Sequence, residues 1–301
     1  MKRKFKLVGL FFLGLILFIT CKKETPLPTA LFTYSVTGNT VTFYAQVTND
    51  SKYEWDFGDG SYINTLHSPI HSYSSYGVDY TVNLTILGPG GSTTVTNKVT
   101  IPPKTKIQMI TGGNATTPSS KKWRLNRSAA FFDVTLADAN LTSQIPSAYR
   151  IGSILGSVGL SNAYSDEFVF KSDGTMTINS KGGGIFASLA YCLGTGTEMG
   201  AYYADLGLAY TKSFTSPAGA TFTINEGKNY TLGTPLGNVT YANVMTLSFA
   251  NGGFLGLKDF TSECIIKKLN DSEMNAIIFY AHPSYGAKPM LALNLTFESI
   301  K

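Results

Sequence analysis

Asp166, Glu167, Glu198, Asp205, Glu226 and Asp259 are the residues whose type would suit acid–base chemistry. Glycoside hydrolysis needs an acid and a nucleophile or base roughly 5–10 Å apart. None of the six sits in a recognisable motif. Asp166 and Glu167 are adjacent, so on a strand they point to opposite faces. They read as solvated strand ends. The chain has no Gly-x-Ser-x-Gly elbow and no His-Glu-x-x-His helix. Gly182-Gly183-Gly184 lacks the following Lys-Ser/Thr of a phosphate loop and reads as a turn or bulge. His282, before Pro283, reads as a loop residue. No Cys-x-x-Cys or Cys/His cluster suggests a metal. No catalytic residue, metal or cofactor is therefore expected.

Aromatic rings are the better candidates for function. Flat faces stack on sugar rings while polar groups take the hydroxyls. Tyr191, Tyr202, Tyr203 and Tyr210 lie in a Gly-rich stretch, and Trp123 is the single tryptophan of the second half. These five are the candidate ligand-binding residues; the competing reading is that they are core. Tyr202 and Tyr203, being adjacent, cannot both face one core.

The elements that must position them are strands. Charged residues make up 14% of the chain against roughly 25% in a typical domain, while aromatics reach 13%. That composition excludes disorder and coiled coil and favours β-structure. The net charge of +5 is misplaced for nucleic-acid binding: Lys2, Arg3, Lys4 and Lys6 supply four of those charges. No basic stripe is left to neutralise phosphates.

Those cations open an address segment. Leu7 to Phe18 is an apolar run of about a dozen residues, short of the roughly 20 that span a membrane. Residues 1–20 read as a signal peptide and Cys21 as the lipidated residue. The stretch Phe18-Ile19-Thr20-Cys21 resembles the lipobox of bacterial lipoproteins, with Phe18 and Thr20 in place of the usual Leu and small residue. An outer-membrane lipid anchor follows as the expectation. The single acidic residue after the cysteine, Glu24, leaves the periplasmic side and the cell surface both open. Cys192 and Cys264 are the pair that remains, open to a disulfide or to two buried thiols.

Residues 21–30 read as a tether. From Leu31 the pattern has period two, with turn signals every ten or so residues to Ile101, as in an antiparallel sandwich. Trp55-Asp56-Phe57-Gly58-Asp59-Gly60-Ser61, then Pro69, His71, Tyr73, Gly77, Tyr80, Val82 and Leu84, closely resemble the PKD domain, an Ig-like β-sandwich. The resemblance implies a spacer or interaction module over residues 31–103, with Trp55, Asp56, Gly58, Asp59 and Gly60 as its structural motif. Two carboxylates are too few for calcium's 6–8 oxygens, and His71 reads as packing.

Residues 104–120 read as a linker because of Pro102-Pro103 and the Gly/Thr/Ser loop from Gly112; Ile107–Ile110 could be an edge strand or open the next domain. In 121–301, Phe168 to Ile178 alternates around Asp173-Gly174, a two-residue hairpin signal. Further period-two runs are 221–224, 245–249, 264–269, 276–280 and 291–297. A helix is expected only within 140–160. The expected class is all-β: an Ig-like PKD sandwich followed by a β-sandwich or lipocalin-like barrel. The run Lys122 to Asn126, with Trp123 and Leu125, and the Phe168–Thr175 hairpin resemble C-terminal domains that follow PKD modules in envelope lipoproteins of polysaccharide-utilising bacteria. That resemblance implies a non-catalytic polysaccharide binder. A carboxylate-pair hydrolase or lyase, and an adhesion protein with envelope-protein partners, are the alternatives.

Overall fold

The computed structural model describes residues 24–50, 52–113, 118–128, 134–136 and 154–301. The expected signal peptide, Cys21 and most of the expected helix at 140–160 lie outside them. The chain divides into two compact units, Met1–Pro103 and Lys104–Lys301.

The first unit is two facing three-stranded sheets. One has the order β1 (Thr29–Thr37), β2 (Thr40–Thr48), β4 (Ile70–Ser72); the other is β3 (Lys52–Asp56), β5 (Val78–Gly88), β6 (Gly91–Ile101). Phe32, Phe43, Trp55, Val82, Leu84 and Ile86 alternate with polar residues along their strands and meet in the core. Trp55 is fully buried, its ring 5.0 Å from Phe32 and 5.1 Å from Phe43, and its Nε1 donates to Leu66 O. The motif after it is turn chemistry. Asp56 Oδ1 accepts from Gly58 N, and Asp59 Oδ1 from Ser61 N. Gly58 has φ +75°, and a Cβ there would stand 2.3 Å from Thr81 O. His71 bonds Asp59 at 2.7 Å and stacks on Phe57 at 4.0 Å. Burial, which alone would raise the Asp59 carboxyl, is outweighed by bonds from Ser61 and His71, and it sits below its usual range.

The second unit is built on a nine-stranded antiparallel sheet. Its strands are β7 (Ser120–Leu125), β8 (Val134–Leu136), β9 (Glu167–Lys171), β10 (Met176–Asn179), β14 (Thr221–Thr234), β15 (Gly237–Ala250), β16 (Glu263–Leu269), β17 (Glu273–Ala281) and β18 (Pro289–Ile300). The order is β10-β9-β7-β18-β17-β16-β15-β14, with β8 also on β18. The two ends meet: Met176 N donates to Ala220 O at 2.8 Å and Phe222 N to Gly174 O at 3.0 Å. This contact closes the sheet into a barrel. Rungs of apolar side chains such as Ile224-Leu247-Cys264-Ile278-Leu293 line its inside.

The hairpin β14–β15 has a second role. A bulge between Asn225 and Tyr230, with Gly227 at φ +68° and Asn243 at +54°, reverses which residues face inward. Beyond it Tyr230, Leu232, Val239 and Tyr241 fold over the barrel's outer surface and bury Ile265, Ile277, Phe279 and Ala292. The barrel thus carries a local two-layer sandwich on one side.

The segment read as a linker does not serve as one at its start. Lys106–Thr111 is helix α1, capped by Thr105 and Gln108 in a reciprocal box and ended by Gly112 at φ +81°. Ile110 is buried in the barrel core. The hairpin at Asp173-Gly174 has a three-residue loop, with Lys171 N bonded to Thr175 O, rather than two. Of the 140–160 region, Ile154–Ser157 is described as α2. A small sheet, β11 (Phe186–Ser188), β13 (Leu208–Thr211) and β12 (Met199–Tyr203), with helix α3 (Leu189–Thr195), completes the unit.

Candidate functional site

The residues chosen from sequence divide sharply. Trp123 is fully buried and its Nε1 donates to Ile110 O at 2.8 Å. It has no face to offer a ligand, and the ligand-binding expectation for it is corrected. Tyr210 is also core; its hydroxyl donates to Asp166 Oδ1 at 3.1 Å. Tyr202 and Tyr203 fall on opposite faces of β12: Tyr202 is 60% exposed and Tyr203 packs against the core. Tyr191 is half-buried on α3. Cys192 and Cys264 are free and buried, so the disulfide alternative is also corrected. Cys264 faces into the barrel beside Leu247 and Ile278, while Cys192 lies on α3 in a separate cluster. Burial pushes the Cys192 thiol up to about 11 and the Cys264 thiol up to about 12.

Tyr191 leads to a groove. Ala190, Leu193 and Gly194 of α3 form one side; Phe260, Pro283, Gly286 and Ala287 form the other, around about 310 Å³. Leu193 is 60% and Phe260 42% exposed, large values for apolar side chains. The Tyr191 ring lies 5.5 Å from that of Phe260. Gly194 permits the approach: a Cβ there would stand 3.0 Å from Phe260 Cζ. Lys258 Nζ lies 5.8 Å from the Tyr191 centroid, and burial lowers its pKa.

The groove is held by a buried acid. Asp259 accepts from the Ser188 hydroxyl, from Ala281 N at 3.3 Å and from Thr261 N at 3.4 Å. Ser188 also caps α3 by accepting from Tyr191 N at 3.0 Å. One carboxylate therefore ties α3, the Phe260 loop and β17 together. Burial raises its pKa, and the hydrogen bonds oppose that. Asp259 is therefore not the solvated strand end expected from sequence: it is buried and supports the loop, and the neighbouring Phe260 is what reaches solvent. The flanking Lys258-Asp259 around a lone loop aromatic was the available signal.

The other carboxylates do not gather into an acid–base pair. Glu198 pairs with Lys212 at 3.1 Å on the surface. Glu226 sits at the β14 bulge and Asp205 in a single 3-10 turn. Asp166 is buried; burial pushes its carboxyl up to about 7 against bonds from Tyr210 and the Lys181 and Phe186 amides. Glu167 and Glu298 do line one polar cleft of about 470 Å³, with Arg124, Arg127, Tyr164 and Lys181. Register explains them. Glu167, Arg124 and Glu298 form one rung across β9, β7 and β18, with the arginine between the acids. Arg124 Nε bonds Glu298 at 2.7 Å and Lys181 holds Glu167 at 3.3 Å. Opposite charges side by side on neighbouring strands stabilise a sheet by roughly 0.2–1 kcal/mol a pair. His282 Nδ1 accepts from Ser284 N within its own loop, and its Nε2 lies 3.3 Å from Ala204 O of a separate turn. Gly182 and Gly184 allow close approach of Tyr210 and Thr211.

No curated protein matches the chain. Among solved structures, the PKD1 domain of Vibrio anguillarum Epp is 28% identical, with 27% of this chain and 100% of that one covered and a TM-score of 0.25. The PKD1 domain of the Vibrio cholerae metalloprotease PrtV is 29% identical, covering 26% and 99%, with a TM-score of 0.24. A structure described under the promiscuous specificity of carbohydrate-binding modules of the β-sandwich superfamily aligns over 92% of this chain and 94% of its own. Its identity is 15% and its TM-score 0.26. The family model for the PKD domain matches residues 23–102, the span that holds the two facing sheets and the Trp55–Ser61 turn.

Proposed function

We propose that the chain is a non-catalytic envelope lipoprotein, lipid-anchored through Cys21 at the outer membrane. Its PKD domain acts as a spacer, and its second unit binds polysaccharide at the groove beside α3. The observation that carries the binding role is the exposed Phe260 ring, backed by Tyr191 and fixed by the Asp259 network. A ring that is already ordered loses little entropy on stacking against a sugar. The carboxylates of the polar cleft support the non-catalytic reading, because each is engaged by a cation and Arg124 stands between them.

Affinity gel electrophoresis of residues 24–301 and 104–301 in gels cast with xylan, alginate, pectin or soluble glucans tests the proposal. Retardation by one glycan, retained by 104–301 and lost in Phe260→Ala, is expected. Shortening of that glycan on incubation would move the function to a hydrolase or lyase. The apolar character of Leu193 and Phe260 favours a second reading, adhesion to an envelope protein. Absence of retardation in every gel would favour it over the first.

A further inference from the structure

The residues ahead of β1 are not a free tether. Thr25 and Pro26 lie against Gly90, where a Cβ would stand 2.4 and 2.3 Å from their carbonyl oxygens. Leu27 reaches Gly91, and Pro28 O accepts from Thr93 Oγ1 at 2.6 Å. The contact continues in step: Phe32 O accepts from Asn97 Nδ2 and Tyr34 donates to Lys98 O. Residues 25–34 thus climb alongside β6 in the same direction. The chain enters the first unit at the β5–β6 turn, Gly88–Gly91, and β6 carries it to Ile101 at the opposite pole. Ten steps of about 3.3 Å make that rise about 33 Å.

From this geometry we infer that the first unit stands end-on at a lipid surface, its β5–β6 turn against the headgroups. The inference rests on the proposed N-terminal anchor. Three residues separate Cys21 from the docked Thr25, four steps with a reach of at most about 14 Å. The pole so held presents exposed Leu27 and Pro89, with Asn49 and Asp50 on the neighbouring β2–β3 connection. The opposite pole carries the Gly58–Gly60 turn and residues 73–77, near Ile101 through the Val78–Ile101 pair. Pro103, where the first unit ends, leaves from that far pole. The spacer role then follows from a short leash and one long strand, not from a flexible tail.

The test uses the full chain in isolated membranes of a bacterial host. Energy transfer is measured to a headgroup-labelled lipid from a dye on a keto amino acid placed at Pro89 or at Ser75. Both positions are exposed, on opposite poles. Transfer from position 89 about two-fold or more above that from position 75 is expected for a height difference of about 33 Å. Equal transfer from the two sites, with the protein in the membrane pellet, would overturn the end-on geometry and leave the anchor standing. Failure to pellet would overturn both. Gly90→Val, which evicts Thr25 and Pro26, should reduce the contrast while the unit's melting transition stays cooperative; an undiminished contrast would show that the docked segment does not set the orientation.

Discussion

Replacing Asp166 by Asn should flatten the pH dependence of the second unit's stability. Asp166 is 1% exposed, and burial pushes its carboxyl from 3.8 up to about 7. Below pH 3.8 the folded and unfolded chains both hold the proton, and the group contributes no slope. Between 3.8 and 7 the folded chain keeps a proton that the unfolded chain has released. Stability then falls by about 1.4 kcal/mol per pH unit. Above 7 both are ionised and the loss is constant, at about 4 kcal/mol from roughly three units. Asn turns one acceptor into a donor opposite the Lys181 and Phe186 amides, costing about 1–3 kcal/mol at every pH. Absolute stability is thus a poor readout and the slope is the useful one. Urea unfolding of residues 104–301 at pH 5, 6, 7 and 8, followed by Trp123 fluorescence, measures it. Buried Asp259 titrates in the same direction, so wild type keeps some slope from each acid and the variant should lose the Asp166 share. Identical slopes in the two proteins would refute the assignment of a buried, protonated Asp166.

Three further outcomes follow from the packing. In residues 24–301 neither Cys192 nor Cys264 should react with a water-soluble disulfide reagent at pH 8, and both should react in urea; a native thiol titre would contradict their burial. Gly184→Ala should cost about 3 kcal/mol or more in urea unfolding, because its Cβ would stand 1.7 Å from Thr211 O and backbone must move. Trp123→Ala should cost about 3–5 kcal/mol as a core truncation and leave glycan retardation by any folded protein unchanged; selective loss of retardation would restore Trp123 to the site.

The first unit was legible because its signature is local. Asp56, Gly58, Asp59 and Ser61 bond one another within a few residues, so the turn is written in adjacent letters. The strands of the second unit were legible as alternation, but only up to the bulge. Residues 221–224 announce β14, and the parity change near Gly227 hides the ten residues that follow. Barrel closure joins Gly174–Met176 to Ala220–Phe222, a pairing that no window on the sequence contains. Helix α1 had its signals in Thr105, Gln108 and Gly112, but a six-residue helix is too short for periodicity to separate it from a strand. On β12, alternation did separate Tyr202 from Tyr203. It could not rank Trp123 below Phe260, because which ring is covered depends on the packing of α1 and α3.

The strand order of the second unit has a consequence for how it is made. β18 pairs with β7 on one side and β17 on the other, so residues 289–300 occupy the middle of the sheet. Chain delivered from its N-terminal end, by a ribosome or through a translocation pore, holds β7 for more than 160 residues before that partner arrives. Until then β7 and β17 border a gap that β18 alone fills, while β10 and β14 meet at the other seam. Contacts of such sequence separation favour slow, late assembly. The unit is therefore slow to become a rigid barrel while in transit, and an interruption shortly before residue 289 leaves two exposed sheet edges that can pair with other chains.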